Sequence, residues 1–228
     1  RALETLNASN TQLATLTAGM LPESLVNIDL SGNTKLTTIE KDAFASLKNV
    51  ETLDLSDNTA LQTAYLNGME ASTVHADGCT VLTEVNAENA NIGTLDLSGL
   101  GSLKQVTLND AKVGSLDLAG CANLEELYAS GLDMKGIDIT DNTALTRIDL
   151  KNSSLEQITA ADGSAYVDMY RADCSGSKLD LSEGTPERAF MDGLEAYIEA
   201  NPIIPEEGEL GNIALGSTVT SSISSSYA

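Results

Sequence analysis

The chain has 228 residues, with 12 Lys and Arg against 34 Asp and Glu and a formal net charge of −22. That balance argues against nucleic acid, whose phosphates need a basic footprint, and against an anionic membrane surface. It serves solubility or, on a sharper reading, a cationic partner, either a basic protein or a divalent metal. No apolar run approaches the ~18 residues of a membrane span, and Arg1 opens no signal peptide, so the chain is either cytosolic or follows a processed or trimmed N-terminus.

Residues 1–24 hold two imperfect units, Leu3-x-x-Leu6-x-Ala8 and Leu13-x-x-Leu16-x-Ala18, before Leu21-Pro22. Leu25-x-x-Ile28-x-Leu30-Ser31-Gly32-Asn33 is the first clean unit, and Leu36-x-x-Ile39 opens a longer excursion over 40–49. Ala43, Phe44 and Leu47 fall there at helical spacing, which predicts a short helix near 42–48. From Val50 the units start at 50, 61, 71, 82, 92, 103, 113, 124, 134, 145, 155, 166 and 176, alternating steps of eleven and ten. Each pair of units therefore repeats after 21 residues. A period of that size means a solenoid, because one unit cannot bury its own apolar side and must stack on the next.

Within Leu-x-x-Leu-x-Leu the fourth and sixth residues point to one side of an extended segment, while the third and fifth point outward. Stacked coils then pair as parallel strands at roughly 4.8 Å. Each buried aliphatic contributes on the order of 1.5–3 kcal/mol. A charge at Leu116 or Ile137 is expected to break the stack, and one at an outward position is not. After Leu181 the rhythm stops. Thr185-Pro186 reads as a capping hydroxyl followed by Pro at the first helical position, and Phe190, Leu194, Tyr197 and Ile198 share one helical face. Asn201-Pro202 ends that helix, residues 210–215 read as a final edge strand, and 217–228 as a Ser/Thr-rich tail. The division is a solenoid over 1–181 and, over 182–228, a C-terminal cap that covers an otherwise open end.

Val50-Glu51-Thr52-Leu53-Asp54-Leu55-Ser56-Asp57-Asn58 resembles the leucine-rich repeat. The nested ten/eleven alternation is similar to the short bacterial class of 21 residues, and residues 25–49 resemble one longer, typical repeat. The resemblance, which covers about 3–215, implies an α/β-class right-handed solenoid of mostly parallel β with short coils and a capping helix near 186–200. It also implies a secreted or surface-anchored bacterial protein, often lipoprotein-anchored through a segment outside this chain, that binds a protein or glycan and catalyses nothing. No cofactor is implied. The ninth position, Asn in such repeats, is Asn33, Asn58 and Asn142 but elsewhere Cys79, Leu100, Cys121, Gly163 and Cys174. That register makes the cysteines buried, unpaired thiols, with Cys79 and Cys121 two coils apart on one face and beyond disulfide reach. No His or Arg stands near to activate them.

The two outward faces differ. On one, the fifth position reads Asp29, Asp54, His75, Asp96, Asp117, Asp138, Thr159 and Asp180. Carboxylates stacked at strand spacing repel one another, so they must be solvated, bonded to Thr52, Thr94 and Ser115, or share a cation. The alternative metal site is Asp96, Asp117 and Asp138, although one flat column offers few of the six to eight oxygens that Ca²⁺ takes. On the other face the fifth positions are Tyr65, Asn86, Thr107, Tyr128, Asp149 and Tyr170, with Glu84, Gln105, Glu126, Arg147 and Asp168 at the third. A wall whose residues change coil by coil is one a ligand can read, and Tyr and Arg suit interface anchors. The binding residues expected are therefore Tyr65, Asn86, Tyr128, Arg147, Asp149 and Tyr170. Two other functions compete. One is a β-helix enzyme acting on polysaccharides, which needs long loops and a Lys or Arg base beside the carboxylates. Here the loops are short and only Lys135 is near. The other is a cation-binding structural spacer.

Overall fold

The structure, a computed structural model, describes residues 2–200. Its strands are short and evenly spaced. They are β1 (Thr5–Asn7), β2 (Thr15–Leu16), β3 (Asn27–Asp29), β4 (Thr38–Ile39), β5 (Val50–Asp54) and β6 (Thr63–Tyr65). Next come β7 (Glu70–His75), β8 (Glu84–Asn86), β9 (Asn91–Asp96), β10 (Gln105–Thr107) and β11 (Lys112–Asp117). The series ends with β12 (Glu126–Tyr128), β13 (Gly136–Asp138), β14 (Arg147–Asp149), β15 (Gln157–Thr159) and β16 (Arg171–Asp173). The single α-helix among the described residues, α1, is Pro186–Ala200.

Successive strands never pair; each pairs in parallel with the strand one full coil away. Even-numbered strands β2 to β16 form one unbroken wall of eight. Odd-numbered strands form the opposite wall in two pieces, six strands from β1 to β11 and a separate pair, β13 with β15. The fourth and sixth residues of the units fill the space between the walls: Leu53, Leu55, Val74, Leu95, Leu97, Val106, Leu108, Leu127, Ile148 and Leu150 are all buried. This is the period-two reading of the sequence made solid. Residue steps across the pairs are 21 in the middle, as in Thr63↔Glu84, and 25 at Asn27↔Thr52, where the longer repeat lies.

The excursion over 40–49 buries Ala43, Phe44 and Leu47 as expected, but not on a helix. It is a run of turns closed by Ala43 N–H to Glu40 C=O, Ala45 to Asp42 and Leu47 to Phe44. Asp42 has a φ of 65°. That left-handed residue interrupts the right-handed backbone a helix needs, and a three-residue spacing of apolar side chains suits successive turns as well as it suits a helix.

A second departure lies at the C-terminal end. Arg147 pairs with Arg171 and Asp149 with Asp173, so the last coil takes 24 residues rather than 21. The extra residues form a 3-10 turn, Gly163–Ala165. The unit starting at 166 is therefore out of phase, and its true first residue is Met169. Cys174 takes an inward sixth position instead of a ninth. No strand forms at Leu179–Leu181, whose leucines only flank the core.

Helix α1 seals that end. Thr185 Oγ1 accepts the Arg188 N–H at 3.2 Å, the capping bond foreseen for Thr185-Pro186. Phe190, Met191 and Leu194 are buried, and Phe190 meets Tyr166 edge-to-face at 5.3 Å. Backbones touch where the helix crosses the 3-10 turn, and a Cβ on Gly193 would stand 2.9 Å from the Gly163 Cα. The side chains of Tyr197 and Ile198, the Asn201-Pro202 stop, the edge strand at 210–215 and the tail at 217–228 lie outside what is described.

The break between β11 and β13 falls where a run of close backbone approaches ends. A Cβ on Gly93 would stand 2.5 Å from the Ser72 carbonyl oxygen, and one on Gly114 would stand 2.5 Å from that of Gly93. Only glycine tolerates so close an approach. The next residue in this column is Lys135. One isolated bridge, Lys112 with Asp133, survives there before the strands part. Leu116 is consequently half-buried, whereas its neighbours in the row, Leu95 and Ile137, are 0% and 4% exposed. The expectation that Leu116 is as deep as Ile137 is thereby corrected.

Candidate functional site

The even-strand wall brings most of the expected residues into one row. Tyr65 lies beside Asn86, Asn86 beside Thr107, Thr107 beside Tyr128 and Tyr128 beside Asp149. Tyr170 does not join it, because the 3-10 turn moves it to a second position and sets Asp173 beside Asp149. Asp168 leaves the third-position row for the same reason, and Arg171 enters it. The parallel row is Thr63, Glu84, Gln105, Glu126, Arg147 and Arg171.

The Arg147 guanidinium lies over the Tyr128 ring, 4.7 Å from its centroid, an attraction between a cation and the negative ring face. Two arginines thus stand side by side across adjacent strands. The Nε of each is buried without an acceptor. Among the described residues no ion pair joins either one to a carboxylate. In a chain with a net charge of −22 this is an unusual place for unspent donors. The Tyr128 phenol is pushed up first by burial and then by the charge of Glu126, and Tyr65 likewise by burial and by Glu84, so both stay neutral donors.

The odd-strand wall shows what its aspartates do. Asp29 Oδ1 accepts the Ser31 N–H at 3.0 Å and the Ser31 hydroxyl at 2.6 Å. Asp54 does the same with Ser56, while Asp96, Asp117 and Asp138 take the N–H of Ser98, Ala119 and Thr140. Each carboxylate therefore closes the turn that follows its own strand. The bonds to Thr52, Thr94 and Ser115 considered from the sequence do not form. No group of three His, Cys, Asp or Glu close enough to hold a metal occurs among the described residues. His75 sits between Asp54 and Asp96 as the register required.

The ninth positions carry a second ladder. Asn33, Asn58 and Asn142 each donate Nδ2 to a carbonyl of the coil below: Ala8, Leu30 and Leu118. Cys79 and Cys121 take over that bond, Sγ to the Leu55 and Leu97 carbonyls at 3.1 and 3.0 Å. Burial pushes both thiols up to about 11 and Cys174 to about 12, so none is a thiolate at neutral pH.

Residues 1–60 match the family described as leucine rich repeat. No curated protein matches the chain. Among solved structures, the functional domain of InlJ from Listeria monocytogenes is 17% identical, with a TM-score of 0.45, over 79% of this chain and 53% of that one. The Toll–Spatzle complex of Drosophila is 14% identical, with a TM-score of 0.43, over 73% of this chain and 28% of that one. No helix among the described residues is long and apolar enough to cross a membrane. The matched segment is followed by the same motif, at the same spacing, stacked in parallel through Thr159: the chain is a parallel-strand solenoid whose first 60 residues match the leucine rich repeat.

Proposed function

We propose that this solenoid is a non-catalytic binding module of a bacterial surface or secreted protein, which grips a protein partner through the even-strand wall. The observation that carries the reading is the Tyr128–Arg147–Arg171 cluster. Arg147 is held in place by the ring beneath it, so little side-chain freedom is lost on binding, and neither guanidinium group is ion-paired to a carboxylate among the described residues. Tyr65, Asn86 and Asp149 extend the same surface, and Tyr170 flanks it. The ring face a sugar would stack on is covered by Arg147, which favours a protein over a glycan. The ten/eleven repeat supports a bacterial source, and residues 182–228 act as the cap. The test is capture of surface proteins by the immobilised chain. Tyr128→Ala and Arg147→Ala are each expected to reduce a specific captured protein at least tenfold, while Ser115→Ala on the opposite wall leaves it. Equal capture by all three sinks the reading, and retention of a glycan instead would reassign the ligand class.

A further inference from the structure

The parting of β11 and β13 leaves a cavity of about 260 Å³ in the odd-strand wall. Its lining includes the apolar Leu116, Leu118 and Ala119, the acidic Asp117, Asp138 and Asp141, and Asn142. Asn142 is 0% exposed. Its Nδ2 donates to the Leu118 and Cys121 carbonyls at 3.1 and 3.0 Å, which fixes the orientation of the amide. Its Oδ1 has no partner. In the intact part of the stack that oxygen is used: Asn58 Oδ1 accepts the Asn33 N–H, and Asn33 Oδ1 accepts those of Thr11 and Leu13. A buried acceptor without a donor is costly, and the opening of the junction is what strands this one.

The carboxylates around it are half spent. Asp117 and Asp138 each give Oδ1 to their own turn, and Asp141 gives Oδ2 to the Gly120 N–H at 3.0 Å. One oxygen of each remains for a ligand. The lining therefore combines carboxylate and amide acceptors with aliphatic side chains, and it asks for a donor-rich cation on an apolar stem. The three carboxylates do not converge as a metal requires.

We propose that this cavity receives a cationic side chain, the guanidinium or ammonium group of a partner protein, with the stem on Leu116 and Leu118 and an N–H directed to Asn142 Oδ1. The site lies on the wall opposite Tyr128 and stands independently of the function proposed for that wall.

The experiment is an NMR titration of the full chain with the peptide acetyl-Gly-Gly-Arg-Gly-Gly-amide, its citrulline counterpart, which keeps shape and loses charge, and calcium chloride alone. The arginine peptide is expected to shift the Asn142 side-chain amide and the Leu116 and Leu118 methyl groups, and the citrulline peptide to bind at least tenfold more weakly. Asn142→Leu is expected to weaken binding at least fivefold. It has a precedent in the fold, since Leu100 fills the equivalent place two coils earlier. Asp138→Asn, which keeps the acceptor for Thr140, provides a second variant with the same expected loss. Equal binding of the citrulline peptide overturns the proposal. So do shifts spread over the acidic surface that both variants leave unchanged, and so does saturation of the same resonances by calcium alone, which makes the cavity a metal site.

Discussion

At the scale of single residues, the aspartate column is a set of turn-formers with an acid-sensitive energetic role. The Ser31 hydroxyl chiefly, and its N–H, hold the Asp29 carboxyl below the usual carboxylate range; the Ser98 N–H chiefly does the same for Asp96, with a smaller contribution from His75. A folded value below the unfolded one, about 3.9, means that the stabilisation is complete above that pH. It is lost as pH falls through the lowered folded values. Carbon NMR of the carboxyls should show Asp29 and Asp96 titrating below the ordinary carboxylate range. Ser31→Ala should return Asp29 towards the ordinary range and make thermal stability less sensitive to acid below about pH 4. An unmoved Asp29 would refute this account. The sequence showed the column and its spacing. It did not show that the bond is local, because Asp followed two residues later by Ser or Thr reads equally as solvated polar surface.

At the scale of elements, legibility followed repetition. The walls, the inward leucines and the row from Tyr65 to Asp149 were all set by spacing, since a one-residue slip would turn every side chain to the wrong face. Where the chain departs from the period, spacing misled: it put a helix where Asp42 makes turns, and it placed Tyr170 and Cys174 three residues out of phase because the 3-10 turn at Gly163–Ala165 absorbs extra chain. The parting of β11 and β13 was not in view at all, because it is a matter of backbone placement, which no pattern of residue types reveals. The helix seal depends on an equally local feature. With its Cβ site 2.9 Å from the Gly163 Cα, Gly193→Ala forces α1 away from the last coil. A loss of roughly 1–3 kcal/mol in urea unfolding is expected, together with faster hydrogen exchange at Ile158, whose N–H reaches Glu187 on that helix at 3.4 Å. A neutral result would show that the helix does not depend on this contact.

At the scale of the molecule, a charge of −22 on a stack of short coils is self-repulsive. Its four ion pairs among the described residues, such as Lys104 with Glu125, are exposed and contribute little. Salt is therefore expected to stabilise the fold, raising the melting temperature between low ionic strength and about 0.15 M, where the Debye length shrinks to roughly 8 Å. A melting temperature that falls over this range would mean that the ion pairs outweigh the repulsion.

The two walls are also mechanically unequal. One runs from β2 to β16 without a missing rung, while its opposite number parts between β11 and β13. A stack joined by a full ladder on one side and by a few scattered bonds on the other is stiffer along the first, as a book is along its spine. Tension along the axis would therefore load the few bonds at this junction first, while β12 and β14 remain zipped, and would be felt as a change of angle before any unravelling.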